Sequence, residues 1–371
     1  MSDFSLDPDI IYLNHAAVAP WPTCSVEEVV AFAHQNGTYG SQNYLQWLAK
    51  EDELRTLLAQ LINAPSKDEI ALLKSTSEGL SFVAYGLDWQ VGDNIVSVAQ
   101  EFPSNRIVWE SLQSRGVELR LLDLESSKQP EEALLALCDE RTRLISVSSI
   151  QYANGRKTDL NTIGDYCRSK DILFVVDAIQ SLGASPFDVV QCKADIVVAD
   201  GHKWMLGPEG LALFYCRESI RQRLKLNEYG WHMVEAMGDF DQKEWQPADS
   251  ARRFECGSPN MLGVHALHAS LTLLLDQGID SVSSRIEELT QFIIDQIDLL
   301  GFQLLTPRAR EMRGGIITFF VPDQDNQLLY QALMEQRVMC AYRGGGIRFS
   351  PHFHNTETQI VEAFNRLKCL L

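Results

Sequence analysis

From about residue 68 to 216 the chain alternates short, nearly continuous apolar runs with amphipathic stretches. The runs at 95–98, 117–122, 144–147, 172–176, 196–199 and 211–215 each predict a strand. Apolar residues at helical spacing over 104–114 and 160–169 predict helices between them. Runs of Val, Ile and Leu with no polar alternate suit strands buried on both faces. The pattern therefore predicts an α/β fold with a mostly parallel central sheet.

After about 262 the pattern changes. Helices are predicted at 262–275, 282–300, 327–336 and 357–371, with strands at 316–321 and 347–350. This reads as a smaller C-terminal α+β domain over 262–371, following a large domain over 61–261. Residues 1–60 are expected to pack on the small domain or across a dimer seam. The polar stretch 239–252 reads as a surface loop between the two domains.

A length of 371 residues with 45% hydrophobic and 22% charged residues permits a large core in two or three packed units. The 32 Lys and Arg against 50 Asp and Glu leave a net charge of -18. That balance argues against nucleic acid or an anionic membrane as a main partner. No apolar run approaches the roughly 20 residues that cross a bilayer. The start, Met1 to Ser5, lacks a basic segment followed by an apolar one, so no signal peptide is expected. Eight cysteines without a Cys-x-x-Cys pair read as free thiols, which points to the cytoplasm. His352 and His354 share a strand face, but no third ligand lies nearby, and no metal is expected.

The densest chemical cluster is Asp200-Gly201-His202-Lys203-Trp204, with a Gly-Pro-x-Gly turn from Gly207 to Gly210. A lysine in such a loop is ordinarily a solvated charge. Asp177 changes that reading, because it ends the apolar run at 172–176, where open α/β sheets bind ligands. Lys203 follows after one further strand, so both can face one crevice. A carboxylate and a lysine so placed supply what pyridoxal 5′-phosphate (PLP) requires: an amine for a Schiff base, and a partner for the pyridine nitrogen. Lys74-Ser75-Thr76-Ser77-Glu78-Gly79 opens a helical pattern. It reads either as a plain N-cap or as a phosphate anchor.

These residues carry a resemblance. The chain is similar to the class V aminotransferase family of fold-type I PLP enzymes, which includes cysteine desulfurases, selenocysteine lyases, transaminases and isopenicillin-N epimerases. The matching segments run in order from Tyr12-Leu13-Asn14-His15 through Glu101-Phe102-Pro103-Ser104-Asn105 and Asp177-Ala178-Ile179-Gln180-Ser181. They continue with Gly201-His202-Lys203-Trp204, then Arg253 to Asn260, and end with Gly346 to Phe353. The resemblance implies that Thr76, Ser77 and His202 hold the phosphate and that Phe102 stacks on the pyridine. It implies that Asp177 pairs with the ring nitrogen, Gln180 donates to the phenolate oxygen, and Lys203 carries the Schiff base. Ser258 falls where a hydroxyl reaches the neighbouring subunit's phosphate, which implies a homodimer with a shared active site. Arg348 falls where an arginine grips the substrate carboxylate. Asn14 and His15 are candidates for the substrate pocket. Several of these residues have structural alternatives: Phe102 as a core aromatic, Gln180 and Ser258 as loop caps, Arg348 in an ion pair.

Three departures from the family pattern matter. Desulfurases carry a nucleophilic Cys on a loop before the carboxylate-binding arginine. Here Arg343-Gly344-Gly345-Gly346-Ile347 alone separates Tyr342 from Arg348, and Cys340 lies upstream. Where relatives place an Asn near the cofactor oxygen, register leaves Gln151. A family serine before the Gly-His-Lys segment is replaced by Asp200, which is expected to turn towards another partner. The resemblance implies an enzyme acting on an amino acid through an α-carbanion at Lys203, with transamination as the first expectation. C–S β-elimination and epimerisation start from the same carbanion and stay open. Two other classes weigh less. A non-catalytic scaffold would not need Asp177, Lys203 and Arg348 together. A nucleotide-dependent dehydrogenase would show a Gly-x-Gly-x-x-Gly turn after the first strand, and none is present.

Overall fold

A computed structural model describes residues 3–371. After a short strand β1 (Ile11–Tyr12), the chain lays down β2 (Ile70–Leu73), β3 (Asn94–Val98), β4 (Glu118–Leu122) and β5 (Thr142–Ser148). Then come β6 (Leu173–Asp177), β7 (Ile196–Asp200) and β8 (Ala212–Cys216). These last seven form one sheet in the order β2-β8-β7-β6-β5-β3-β4. Only β8 runs against the others, pairing antiparallel with both β2 and β7.

Alternation along each strand explains why the sheet is covered on both sides. Phe174 and Val176 enter one apolar cluster with Ile145, Val147 and Val197. Leu173 and Val175 point the other way, into a cluster with Ile95, Leu144 and Val198. Side chains two apart share a face, so a strand apolar at every position must be buried twice. All five residues of β6 are buried.

The rest of the chain builds a second unit around β9 (Gln303–Leu304), β10 (Ile317–Phe320), β11 (Val338–Met339), β12 (Ala341–Arg343) and β13 (Gly346–Phe349). Four of them form a sheet in the order β12-β13-β10-β9, while β11 pairs in parallel with β1. The helices Ile279–Leu299, Asn326–Glu335 and Glu357–Lys368 bury their apolar faces there in a third cluster. The helix Met261–Gln277, whose sequence suggested the smaller unit, instead joins the large-sheet cluster through Val264, Leu267, Leu271 and Leu274. Its neighbours include the N-terminal helices Thr23–Tyr39 and Tyr44–Leu61. Among the described residues no helix is long and apolar enough to cross a membrane.

Candidate active site

A recess of about 220 Å³ opens at the C-terminal edge of the main sheet. Asp177 ends β6, Asp200 ends β7, and Lys203 lies on the turn that follows. Because β6 and β7 are parallel neighbours, both carboxylates emerge at one edge. A Cβ on Gly183 would fall 2.1 Å from the Trp204 carbonyl oxygen. Only glycine therefore lets the segment after Asp177 lie against the lysine turn.

Lys203 is 8% exposed, and its Nζ sits 5.5 Å from the Phe102 ring centroid. Burial pushes its pKa down and Arg348 adds to that, against the pull of Asp177. Burial pushes the Asp177 pKa up, opposed by the Ile179 N–H that donates to its Oδ1 at 3.0 Å and by the charge of Lys203. An amine eased towards its neutral form is a nucleophile for an aldehyde, and the carboxylate beside it is ready for a cationic partner.

Burial also raises the pKa of Glu101, which the sequence reading left without a role. It accepts the Ser148 N–H at 2.7 Å, the Ser148 hydroxyl, and the side-chain amides of Asn105 and Gln151, both at 3.1 Å. These bonds anchor the segment that carries Phe102. The run Glu101-Phe102-Pro103-Ser104-Asn105, with the carboxylate and the amide four residues apart, was the available signal.

The helix Thr76–Gly86 begins at the recess, and the Ser75 hydroxyl caps it by accepting the Glu78 N–H at 3.2 Å. Thr76 Oγ1 is buried and has no partner. The Ser77 hydroxyl is not in the recess lining and instead donates to Ser104, which is, at 2.9 Å. His202 lines the recess with Nδ1 unpartnered, and burial pushes its pKa down to about 4, so the ring is neutral. Gln180 gives one amide hydrogen to the Ala16 carbonyl at 3.1 Å and accepts the Trp204 indole at 2.8 Å, leaving one hydrogen free. Arg348 is 1% exposed; it donates to the Tyr152 carbonyl at 2.6 Å and keeps Nε unpartnered.

Besides Ser77, four expected site residues lie outside the recess. The Gln151 amide is drawn to Glu101, and its neighbour Tyr152 lines the recess, packed edge-on against Phe102. His15 is buried in a histidine cluster, with Nδ1 against the Ser350 carbonyl and Nε2 3.0 Å from His354 Nε2. Asn14 bridges to Ser350, and Ala16 to Val18 face the recess instead. Ser258 lines a separate recess with Cys256 and Glu228. Sequence reasoning gave no pocket role to Tyr152 or Arg343. Tyr152 lies on the loop after β5 of the main sheet, and Arg343 lies on a hairpin end whose approach depends on the small unit docking.

PLP fits this donor set. The unpartnered Thr76 Oγ1 and His202 Nδ1 would take phosphate oxygens, Lys203 the aldehyde carbon, and Asp177 the pyridine nitrogen. Phe102 offers a ring to stack. Asp200 is the poor match, because its Oδ1 already takes the Thr76 N–H at 3.1 Å, a donor that a phosphate would use. Burial raises its pKa to about 6, so protonation there relieves the repulsion. PLP affinity is therefore expected to weaken as pH rises through about 6. Asp200→Ser should bind PLP about tenfold more tightly above that pH and flatten the dependence. Equilibrium dialysis on both sides of that pH is the check, and an unimproved variant would refute the idea.

The sequence profile of the aminotransferase class-V family matches residues 11–361. A probable cysteine desulfurase of Pyrococcus abyssi is 28% identical over 386 residues, spanning 98% of this chain and 94% of its own. An uncharacterised aminotransferase of Bacillus subtilis is 29% identical over 360 residues, spanning 95% and 94%. A solved cystine C–S lyase, in complex with cysteine persulfide, shares the fold with a TM-score of 0.88 at 23% identity, over 97% of both chains. Together with the recess built around Lys203 and Asp177, these similarities show that the chain belongs to the aminotransferase class-V family, as a PLP-dependent enzyme of fold type I.

Proposed function

We propose that this enzyme is a lyase that eliminates the β-sulfur of a sulfur amino acid, without passing sulfur through a cysteine of its own. The observation that carries this reading is the hairpin before Arg348. A two-residue turn, Gly344-Gly345, joins β12 to β13 and leaves no room for a mobile thiol. Cys340 is 1% exposed, and burial pushes its thiol up to about 12. Cys256 sits in the other recess, where burial and Glu228 also disfavour the thiolate. The P. abyssi relative's desulfurase name and the solved cystine C–S lyase favour C–S cleavage, and among the described residues no cysteine lines the Lys203 recess.

In this reading Arg348 grips the α-carboxylate through its free Nε. Lys203 Nζ takes the proton from Cα, the Cβ–S bond breaks, and its electron pair leaves with the thiolate. Bound PLP supplies the electron sink that makes the Cα–H bond acidic, and Asp177 holds the proton on its ring nitrogen. Transamination, expected first from the sequence, is the second reading. It uses the same Lys203 and Asp177, and a B. subtilis relative bears an aminotransferase name.

Holoenzyme incubated with cysteine or cystine is expected to release pyruvate, ammonia and a sulfur product, with no enzyme-bound persulfide. Cys340→Ser and Cys256→Ser should retain turnover. Accumulation of pyridoxamine phosphate would favour transamination instead. A trapped persulfide whose removal abolishes turnover would restore the desulfurase mechanism. We extend the proposal to a homodimer, since Ser258 lies outside the Lys203 recess of its own chain and would serve a neighbour's phosphate. A fully active monomer in sedimentation would overturn that part.

A further inference from the structure

The β12–β13 hairpin brings a second arginine to the recess. Gly344 and Gly345 turn the chain with φ of 57° and 81°, both in the left-handed region. The register pairs Ala341 with Arg348 and Arg343 with Gly346. Residues opposite one another, and residues two apart, share a face, so Arg343 and Arg348 project from the same side of the hairpin. Both line the recess with Lys203.

The two guanidinium groups differ in depth. Arg348 is buried, whereas Arg343 is exposed at the rim. Arg343 donates only to the adjacent Tyr342 carbonyl, at 2.7 Å. Among the described residues no carboxylate pairs with it, in a chain carrying 50 acidic side chains against 32 basic ones. Among the described residues the exposed Arg308 and Arg337 pair with Asp298 and Asp7, whereas Arg115 and Arg310 are exposed without a carboxylate; Arg343 differs from these two in lining the recess beside Lys203. An unpaired cation beside the buried Arg348 and Lys203 is electrostatically unfavourable until an anion joins them. One substrate carboxylate satisfies Arg348. Arg343 then remains unmatched at the outer end of the same recess.

We propose that Arg343 selects amino acids whose side chain ends in a second anionic group of the carboxylate type. The α-carboxylate sits on Arg348 at the inner end, and the distal anion sits on Arg343 at the rim. This rests on the lyase reading only in taking the side chain to run through sulfur, as in a disulfide or thioether with a distal carboxylate. The selection itself follows from the two arginines.

A matched pair of ligands tests it: S-carboxymethyl-L-cysteine and its neutral amide, S-carbamoylmethyl-L-cysteine. Dissociation constants come from the change in cofactor absorbance, and kcat/KM from pyruvate release. The wild type should prefer the anionic compound by at least about tenfold, as expected for a charge-assisted bond at a partly wet rim. Arg343→Gln should remove that preference mainly through KM, and Arg343→Lys should restore part of it. Arg348→Gln should weaken both ligands and leave their ratio in place. Equal affinity for the two compounds in the wild type, or a ratio unmoved in Arg343→Gln, would overturn the proposal even if both are cleaved. A preserved binding preference without pyruvate release would sink the lyase reading and leave the role of Arg343 standing.

Discussion

Lys203→Ala is expected to lose at least about 10⁴-fold in turnover, because one residue supplies both the covalent hold on PLP and the base at Cα. No other lysine lines the recess. Borohydride treatment of the wild type should fix the cofactor to the peptide containing Lys203, and the variant should carry no covalent label. Added small amines should return part of the activity, since they can take over the proton transfer without restoring the link. Burial has already weakened the lysine's hold on its proton. The amine is thus available nearer neutral pH than for a solvated lysine, and at saturating PLP, where the Asp200 effect on affinity drops out, labelling should rise with pH as the neutral form grows. Labelling of a different lysine, or near-normal turnover in the variant, would remove Lys203 from the centre of the site.

Asp177→Asn should keep PLP bound while slowing removal of the substrate α-proton by roughly 10²- to 10⁴-fold. Asn fills the same space and can still accept the Ile179 N–H, so the end of β6 should keep its shape. What disappears is the anion beside the ring nitrogen. Asp177 is 2% exposed, and in this dry position a charge acts strongly on whatever faces it. Without a bound cation, burial and the nearby Glu101 both disfavour its ionised form, and Lys203 alone among the nearby charges offsets them. Solvent exchange of the α-proton measures the step directly. Wild-type exchange in Asp177→Asn would show that the ring nitrogen needs no charged partner here.

The sequence by itself determined the main sheet and the chemical pair at its edge. Strand runs such as 172–176 contain no polar alternate, and only burial on both faces accommodates them, so the α/β layering was legible locally. Asp177 and Lys203 were legible for a related reason. They stand at the ends of consecutive parallel strands, so chain order alone brings them to the same edge.

Tertiary structure decided the rest, because the remaining roles depend on which atoms are already occupied. His15 lies in a matching segment, yet its ring is taken up by Ser350 and His354, and the recess receives its neighbours Ala16 to Val18. Gln151 is diverted by the buried Glu101. Asp200 faces Thr76, which no spacing between residues 76 and 200 could announce. The helix Met261–Gln277 follows a composition change in the sequence but packs with the main sheet, since apolar periodicity names a buried face and not its partner. Arg343 reaches the recess only because a two-glycine turn folds it to the same side as Arg348 and the small unit carries both across to Lys203. Local pattern sets which side chains are buried; docking between distant segments sets which polar atoms remain free to do chemistry.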